Sequence, residues 1–458
     1  MEGQILKVIV IGCTHAGMTA VKEALKVHPE TDITVYERNT NVSFLSCGIS
    51  LYLSNEVNSL ETMLSETPEH LTELGANVKI GHDVLKIDTK NKTIIVENLE
   101  TQEQFTDHYD KLVMATGSSA SVPTVKGVDS FRVQVCKTYE QAQTIKQYSK
   151  NNHHIAIIGG GYSGVEMAEA YAHTNHQVTL IQDGPQLLCN YIDLETSDLI
   201  VASLRSHGID VRLNTRVNAF EPTEDGKQVN ILTQNDNMLA DFVVACTGFE
   251  PNTELLFNQV KLDRNGALST NEWQETSDPD ILAAGDVCST YVNPAKQKEY
   301  YSLATNAIRQ GYAVGHNLFG HQYRNTGTQA TTALRFFNHT LATSGLTLSH
   351  ALKCGYDADS VTYHGLHRPY FMPTNGKIDI KLVYDVSTRK ILGAQFFGDF
   401  DLTQSANTIS VCIQNENTID DLAFIDMLFN PHYDQPFNYL NLVAQLAIEK
   451  ETPISTQK

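Results

Sequence analysis

Short apolar runs that alternate with glycine turns dominate the first part of the chain. The first run, Val8–Ile11, leads into a glycine turn over residues 12–17, an amphipathic segment, and a second apolar run that ends at Glu37. A buried strand, a glycine turn, a helix and a distal acid form the fingerprint of a dinucleotide-binding βαβ unit. In such a unit the pyrophosphate lies at the helix N-terminus and the carboxylate binds the ribose hydroxyls. We therefore predict that Glu37 holds the ribose of a bound dinucleotide.

The same pattern returns in the middle of the chain. The apolar run Ile155–Ile158 precedes the turn 159–164 (GGGYSG), a helix predicted from residue 165 to about 174, and a strand over 178–181. One glycine motif is weak evidence, because glycine-rich turns serve many loops, whereas two motifs that are each flanked by a strand and a helix are strong. Two such units predict two dinucleotides, which suggests a nicotinamide donor and a flavin acceptor.

Each unit departs from the full fingerprint at one position. Thr14 replaces the middle glycine of the first turn, and Gln182, followed by Asp183, replaces the acid that ends the second strand. A glutamine can still bond a ribose hydroxyl, but it discriminates less against a 2′-phosphate. Since no Arg or Lys lies beside Gln182 in the sequence, NADPH is not positively selected either, and we expect NADH with NADPH as a secondary coenzyme.

Three further apolar runs, over residues 112–118, 242–248 and 280–286, are predicted to be strands that return to the cofactor loops. The third ends in Asp286. This acid either caps a helix or holds a cofactor hydroxyl in the crevice where α/β proteins bind their ligands. In the second case the first dinucleotide-binding domain is discontinuous in sequence.

After Gly320 the pattern changes to an α+β module without a glycine fingerprint. Strands are predicted over 334–337, 378–383 and 391–397, and helices over 402–414 and 418–427. The aromatic and proline-rich segment 429–439 is either a packed loop or a subunit interface. The predicted fold is thus α/β, with two doubly wound Rossmann-like domains and a C-terminal α+β dimerisation domain. The predicted boundaries are 1–122 and 252–325 for the FAD-binding domain, 123–251 for the NAD-binding domain, and 326–458 for the dimerisation domain.

Composition restricts the function classes. A net charge of −20 over 458 residues makes nucleic acid an unlikely partner, and no run approaches the roughly 20 apolar residues of a membrane span. We expect no signal peptide and a cytoplasmic enzyme. The eight cysteines are spread singly without a CxxC pair, so we expect neither a metal site nor a disulfide framework.

Cys47 is the candidate reactive residue. It lies ten residues beyond Glu37, and Val42 and Tyr52 occupy the positions where a disulfide-forming partner would stand. One thiol without a partner indicates chemistry at a single sulfur, from thiolate to sulfenic acid and back. The alternative is a small buried hydrophobic residue, which is the usual role of a free cysteine.

Together these motifs resemble the pyridine nucleotide-disulfide oxidoreductase superfamily over essentially the whole chain. The segments 43–48 (SFLSCG) and 51–53 (LYL) are similar to the single-cysteine branch of NADH oxidases and NADH peroxidases. CoA-disulfide reductases of that branch carry Asn-Cys-Gly-Leu-Pro-Tyr, whereas Ser46 precedes the cysteine here and Ile49-Ser50 replace Leu-Pro. The tyrosine those reductases use near the C-terminus corresponds to Phe429, and residues 405–441 most resemble water-forming NADH oxidases of lactic acid bacteria.

The resemblance implies site residues. It makes His15 the active-site histidine beside Cys47, with a satisfied helix-start histidine as the alternative. The implied FAD contacts are Gly12, Cys13, Thr14, His15, Ala16, Gly17, Glu37, Cys47, Val84, Ala115, Thr116, Gly117, Ser118, Lys137, Asp286 and Ala304. The implied NAD contacts are Gly159, Gly161, Tyr162, Gly164, Gln182, Asp183, Tyr191 and Gly248.

The activity implied by the resemblance is reduction of O2 to water by two NADH, with Cys47 cycling through a sulfenic acid in a homodimer or larger homo-oligomer. The runner-up is an NADH peroxidase that uses the same cysteine on external H2O2. CoA-disulfide reduction comes third, and a flavin-bound redox sensor is the alternative outside enzymes.

Overall fold

The computed structural model describes residues 6–452, so the outer ends of the first and last predicted domains lie outside it. The first region forms a parallel sheet in the order β18-β7-β1-β2-β3 and an antiparallel sheet of β4, β5 and β6. Its elements are β1 (Lys7–Ile11), α1 (His15–Val27), β2 (Asp32–Glu37), α2 (Ile49–Leu53), α3 (Pro68–Glu73), β3 (Asn77–Ile80), β4 (His82–Asp88), β5 (Thr93–Asn98), β6 (Gln104–His108), β7 (Lys111–Met114) and β8 (Ser118–Ala120).

The second region repeats this plan, with a parallel sheet in the order β12-β11-β10-β16-β9 and an antiparallel sheet of β13, β14 and β15. Its elements are β9 (Val133–Val135), α4 (Tyr139–Ser149), β10 (His154–Ile158), α5 (Tyr162–His173), β11 (Gln177–Ile181), α6 (Leu194–Ser206), β12 (Asp210–Arg212), β13 (Val217–Pro222), β14 (Val229–Thr233), β15 (Asn237–Ala240), β16 (Phe242–Ala245) and β17 (Phe249–Pro251). The antiparallel β17–β8 pair joins the two regions.

The chain then returns to the first sheet, where β18 pairs with β7 in parallel. The elements of this return are β18 (Ile281–Ala283), β19 (Thr290–Val292), β20 (Gln297–Glu299) and α7 (Ala304–Asn317). Helix α7 packs closely along α1, and a Cβ on Gly311 or Gly315 would collide with the backbone of that helix. The return of β18 places Asp286 at the edge where the strands of the first sheet end.

The last region is an antiparallel sheet in the order β21-β22-β25-β24-β23, with helices packed against it. Its elements are β21 (Thr332–Phe336), β22 (His339–Gly345), α8 (Leu348–Lys353), β23 (Ala358–Leu366), β24 (Lys377–Asp385), β25 (Ile391–Gly398), α9 (Thr403–Gln414), α10 (Ile419–Phe424) and α11 (Tyr439–Glu451). A buried polar link ties it to the second region, because Asp193 N donates to Gln395 Oε1 (2.9 Å) and Gln395 Nε2 donates to Asp193 Oδ2 (2.8 Å).

The apolar runs form strands because both faces of each parallel sheet are buried. Val8 and Val10 of β1 pack with the helices on one face, while Ile9 and Ile11 pack with the antiparallel strands on the other. In β10, Ile157 packs in one hydrophobic cluster and Ala156 in another, so this strand also buries both of its faces. The two doubly wound units and the α+β module expected from the sequence are therefore confirmed.

Two helix boundaries differ clearly from the predictions. Helix α5 begins at Tyr162 rather than 165, since Gly161 is its N-cap and the last three residues of the turn 159–164 already belong to the helix. The helix predicted over 418–427 ends at Phe424, because Ile425 leaves helical geometry. Among residues 6–452 no helix is long and apolar enough to cross a membrane.

Candidate active site

The first glycine turn is built to approach a ligand closely. Gly12 has φ +91°, and a Cβ there would collide with the carbonyl oxygen of Ala115. The turn runs directly into α1 at His15, so the backbone N–H groups at the start of that helix are available to an anion. Thr14, which replaces the middle glycine, is exposed and its side chain caps no N–H of the helix.

Glu37 ends β2 with its carboxylate fixed by three donors. Its Oε2 accepts from Cys13 N (2.8 Å), and its Oε1 accepts from Asn39 N (2.9 Å) and Asn39 Nδ2 (2.7 Å). Burial raises the pKa of this carboxyl group, and these hydrogen bonds oppose the rise. A positioned carboxylate beside a glycine turn has the chemistry that binds ribose hydroxyls.

Three predicted FAD residues from distant parts of the sequence meet at the end of the first sheet. Asp286 Oδ2 accepts from Ser118 Oγ (2.8 Å) and from Lys137 Nζ (3.2 Å), and Lys137 Nζ also donates to Ser118 Oγ. Burial lowers the pKa of Lys137, and the charge of Asp286 partly offsets that effect. Asp286 is thus not a simple helix cap.

The remaining residues of the predicted FAD set lie around this edge. Ala115, Thr116 and Gly117 follow β7 directly, and Ala304 is the first residue of α7. Val84 is buried in β4 in the same cluster as Ile11 and Tyr36. The glycine turn, the Glu37 carboxylate and the Ser118–Lys137–Asp286 cluster of this region fit a bound FAD.

The second glycine turn reproduces the first. Gly159 has φ +106°, and a Cβ there would collide with the carbonyl oxygen of Cys246. Gly160 N donates to Gln182 Oε1 (2.7 Å), so the glutamine holds the turn as Glu37 does in the first unit. Within the described residues, Gln182 Nε2 has no hydrogen-bond partner.

Asp183 pairs with a cation that is distant in the sequence. Its carboxylate accepts from Arg216 Nη2 (2.9 Å) and from Arg216 Nε at both oxygens (3.2 Å and 3.0 Å). Arg216 comes from the loop before β13, so it does not stand beside Gln182 in the sequence. Both members of the pair are exposed, so the guanidinium can exchange partners.

Aromatic side chains surround the start of α5. The ring of Tyr191 lies 4.6 Å from that of Tyr162 and 6.0 Å from that of Tyr301. In the part of the chain that the structure describes, Tyr162 Oη is buried without a hydrogen-bond partner. Gly248 follows β16 with φ +109°. The glycine turn that leads into the start of α5, with the rings of Tyr162 and Tyr191 beside it, fits a bound nicotinamide dinucleotide.

Cys47 lies between the two units. Its segment is tied to the first glycine turn, since Ser43 N donates to Cys13 O (2.8 Å), and it forms a single 3₁₀ turn over Ser46–Gly48. Helix α2, which follows immediately, packs against α5 of the second unit. All eight cysteines are free, and Cys47 is exposed.

The charges around Cys47 do not favour a thiolate. Partial desolvation by surrounding protein atoms and the carboxylate of Glu166 raise the pKa of this thiol, while its backbone N–H lowers it. The pKa of His15 is lowered by burial, with Asp286 opposing, so its imidazole is neutral. Cys47 is therefore held towards the protonated thiol, beside a neutral imidazole.

Glu166 is a site residue that the sequence reasoning missed. Burial and the charge of Glu169 raise its pKa to about 7, and its own charge reaches Cys47. It is the fifth residue of α5, on the helix that packs against α2. The sequence signal that could have identified Glu166 is an acidic residue within the first turns of the dinucleotide-binding helix.

The segment between α10 and α11 exposes many large apolar side chains. Phe424 is 76% exposed, Leu428 69%, Tyr433 68% and Phe437 56%. A patch of this composition is typical of a protein–protein interface rather than of a monomer's surface.

Comparisons with known proteins agree with this architecture. The pyridine nucleotide-disulphide oxidoreductase family model matches residues 6–311, and its dimerisation domain matches 331–439. An NADH oxidase of Enterococcus faecalis is 43% identical over 444 residues, which cover 97% of this chain and 100% of that relative.

Two solved structures extend the comparison. The water-forming NADH oxidase of Lactobacillus brevis bound to NADH matches with a TM-score of 0.96 and 45% identity, covering 97% of this chain and 99% of that one. An engineered water-forming NADPH oxidase made from it, bound to NADPH, matches with a TM-score of 0.96 and 44% identity over the same shares. The expected cofactors, FAD and a nicotinamide dinucleotide, are thereby confirmed. This chain belongs to the pyridine nucleotide-disulphide oxidoreductase family.

Proposed function

We propose that this protein is a flavin-dependent NADH oxidase that reduces O2 to water with two NADH, through a thiolate and sulfenic acid cycle at Cys47. The observation that carries the proposal is the position of Cys47, an exposed free thiol on a segment bonded to the first glycine turn and packed on the helix of the second. The names of the NADH oxidase relatives support the same activity. Eight free cysteines suit a reducing compartment, so we also propose a cytoplasmic location.

In this proposal the chain binds and orients two dinucleotides. The first turn, Glu37 and the Ser118–Lys137–Asp286 cluster hold FAD, and the second turn with Gln182 holds NADH. FAD held by these residues would supply the redox chemistry that carries a hydride equivalent from NADH to O2, with peroxide as the product.

Cys47 then completes the reduction to water. The Cys47 thiol loses its proton, the resulting thiolate attacks one peroxide oxygen, and the O–O bond breaks. The products are a sulfenic acid and hydroxide, which takes up that proton to form the first water. A second hydride equivalent from NADH reduces the sulfenic acid, breaking the S–O bond to regenerate the thiolate and release the second water. A neighbouring thiol would instead trap the sulfenic acid as a disulfide, and Val42 and Tyr52 stand where such a thiol would be.

Glu166 is a suitable proton store for these steps. With a pKa of about 7 its carboxyl group is about half protonated near neutral pH, and it is close enough for its charge to act on Cys47. His15 is neutral at that pH, so it can accept a proton but brings no positive charge.

The test is the stoichiometry of NADH, O2 and released H2O2 for the FAD-loaded enzyme. We expect two NADH per O2 and no free peroxide. Cys47→Ser should continue to oxidise NADH but release one H2O2 per NADH, whereas Cys189→Ser, at the other exposed thiol, should keep the water-forming ratio.

Two results would contradict the proposal. Turnover of NADH only when H2O2 is supplied would identify a peroxidase, and turnover of CoA disulfide in place of O2 would identify a disulfide reductase. Stoichiometric water formation by Cys47→Ser would remove Cys47 from the reaction.

We further propose that the enzyme is at least a homodimer, with residues 429–439 of one subunit closing the Cys47 site of the other. The family dimerisation domain covers this segment, and its exposed apolar side chains need a partner. Leu428→Glu should therefore yield a smaller particle in light scattering that releases peroxide, because an open site loses it to solvent. Leu99→Glu, which places the same charge on an exposed leucine of the first region, should remain dimeric and water-forming. A Leu428→Glu dimer with normal stoichiometry would contradict this assembly.

A further inference from the structure

A cavity of about 340 Å³ lies between the β19–β20 hairpin and helix α8. Its lining includes Cys189, Tyr191, Tyr301, Glu299, His350 and Lys353. Tyr191, an implied NAD contact, also contacts Tyr162, so the cavity borders the dinucleotide site and shares Tyr191 with it.

Three side chains of different ligand types converge beside this cavity, and two of them, Glu299 and His350, line it. The carboxylate of Glu299, the imidazole of His350 and the thiol of Cys354 place their ligand atoms within 4.8 Å of one another. Glu299 Oε1 lies 2.9 Å from His350 Nε2. Ligand atoms around a tetrahedral Zn²⁺ are roughly 3.5 Å apart, given metal–ligand bonds of about 2.0–2.3 Å. A small adjustment of side chains would therefore bring all three into coordination.

The backbone positions these groups before any cation arrives. His350 lies in α8 and Cys354 is the C-cap of that helix, so their spacing of four residues places them on one helical face. The side chain of Thr347 caps α8 by accepting from His350 N (3.1 Å), and Asp193 Oδ2 accepts from Leu348 N (3.0 Å).

The side chain of Gln297 lies next to this cluster and contacts two of its members. Gln297 Nε2 donates to Glu299 Oε1 (2.9 Å) and approaches Cys354 Sγ at 3.9 Å. Hydrogen bonds of this kind orient metal ligands. A thiolate with an imidazole and one carboxylate selects zinc and similar transition metals over Mg²⁺ and Ca²⁺, which prefer oxygen ligands.

We propose that Glu299, His350 and Cys354 form a binding site for one thiophilic divalent cation, Zn²⁺ or an ion of like chemistry, with its fourth position open to the cavity. The cation would join the β19–β20 hairpin to the C-terminal module beside Tyr301 and Tyr191.

The experiment is a titration of the chelator-treated, FAD-loaded enzyme with Co²⁺, followed by displacement with Zn²⁺. Co²⁺ on a thiolate gives d–d absorption at wavelengths longer than those of the flavin, so binding is read directly without activity. We expect one equivalent per chain. Cys354→Ser and His350→Gln should each weaken binding by about 100-fold or more, since changes to outer-shell partners alone typically cost 10–100-fold.

Matched controls separate this site from other thiols and histidines. Cys47→Ser, at an exposed thiol outside this cavity, should bind Co²⁺ as the unmodified enzyme does. His364→Ala removes a histidine that also bonds a carboxylate, that of Asp379, and should bind normally. Flavin content and thermal unfolding show whether each variant is folded. If Cys354→Ser does not fold, His350→Gln provides the test of the site. No Co²⁺ band at one equivalent, or a band lost with Cys47→Ser but kept in Cys354→Ser, would overturn the proposal.

Discussion

The two glycine turns of this protein share a backbone geometry but hold it with different side chains. In the first unit Cys13 N donates to a carboxylate, that of Glu37 (2.8 Å), and in the second Gly160 N donates to an amide, that of Gln182 (2.7 Å). Glu37 is 4% exposed and has two further bonds from Asn39, whereas Gln182 is only half-buried. The same position of the turn therefore donates to a charged acceptor in the first unit and to a neutral acceptor in the second.

This difference matches the two roles proposed for the units. A cofactor that stays bound benefits from a charged, fixed acceptor, because charge-assisted hydrogen bonds are the stronger kind. A coenzyme that enters and leaves at each turnover needs recognition without tight retention. The neutral Gln182 and the exposed Asp183–Arg216 pair suit the second case.

The largest expected effect is loss of FAD from Glu37→Ala. Removing a hydrogen bond to a charged acceptor costs roughly 1.5–3 kcal/mol, or about one to two decades in affinity. Asp286→Ala should act in the same direction, because it removes the acceptor of Ser118 and Lys137. Flavin absorbance after gel filtration measures both.

Gln182→Ala is the matched variant in the other unit and should keep its FAD. Glu37→Gln should lose less flavin than Glu37→Ala, since an amide oxygen can still accept from Cys13 N. A fully flavinylated Glu37→Ala protein would contradict the assignment of the first unit to FAD.

A smaller effect is expected on coenzyme choice. Gln182→Asp would place a carboxylate where a 2′-phosphate must bind, and two unit charges about 4 Å apart in water repel by about 1 kcal/mol. With nearly two charges on the phosphate, the ratio of kcat/KM for NADPH to that for NADH should fall by about 10- to 30-fold. Equal effects on both coenzymes would show that the adenosine ribose is held elsewhere.

Arg216→Ala tests coenzyme choice by removing a cation rather than by adding a carboxylate. Arg216 is the cation nearest to Asp183, and a guanidinium is a good partner for a phosphate. We expect weaker NADPH use with NADH use little changed. A variant that loses both equally would show that Arg216 serves only to fix the loop.

Sequence reasoning predicted the fold well because periodicity and glycine turns are local signals. The βαβ units, Glu37, Gln182 and the C-terminal module all follow from residues that are near one another in the chain. The meeting of Ser118, Lys137 and Asp286 was implied only through resemblance to a family, since 168 residues separate the first from the last. Domain boundaries and individual cofactor contacts remain predictions.

What the sequence missed depends on contacts between distant elements. Arg216 reaches Asp183 from a loop 33 residues later, and Glu166 acts on Cys47 only because α5 packs against α2. The expectation of no metal site stays a prediction. It rested on cysteine spacing, which cannot show a carboxylate from a hairpin meeting a histidine and a cysteine on one helix, as in the proposed cation site.

The smallest expected effect concerns the contact between the two units, where Glu166 of the second acts on Cys47 of the first. Its charge raises the pKa of the thiol, so Glu166→Gln should lower that pKa and speed alkylation of Cys47 by iodoacetamide. The effect is small because solvent screens the charge of a half-buried carboxylate. It should appear above pH 7 and fade below it, since Glu166 has a pKa of about 7 and is mostly protonated at lower pH.

Glu169→Gln provides a control with the opposite sign. It removes a charge that raises the pKa of Glu166, so Glu166 becomes more ionised. The pKa of Cys47 should then stay unchanged or rise slightly. Alkylation profiles that are identical for the unmodified enzyme and Glu166→Gln would show that the two units do not communicate through this pair.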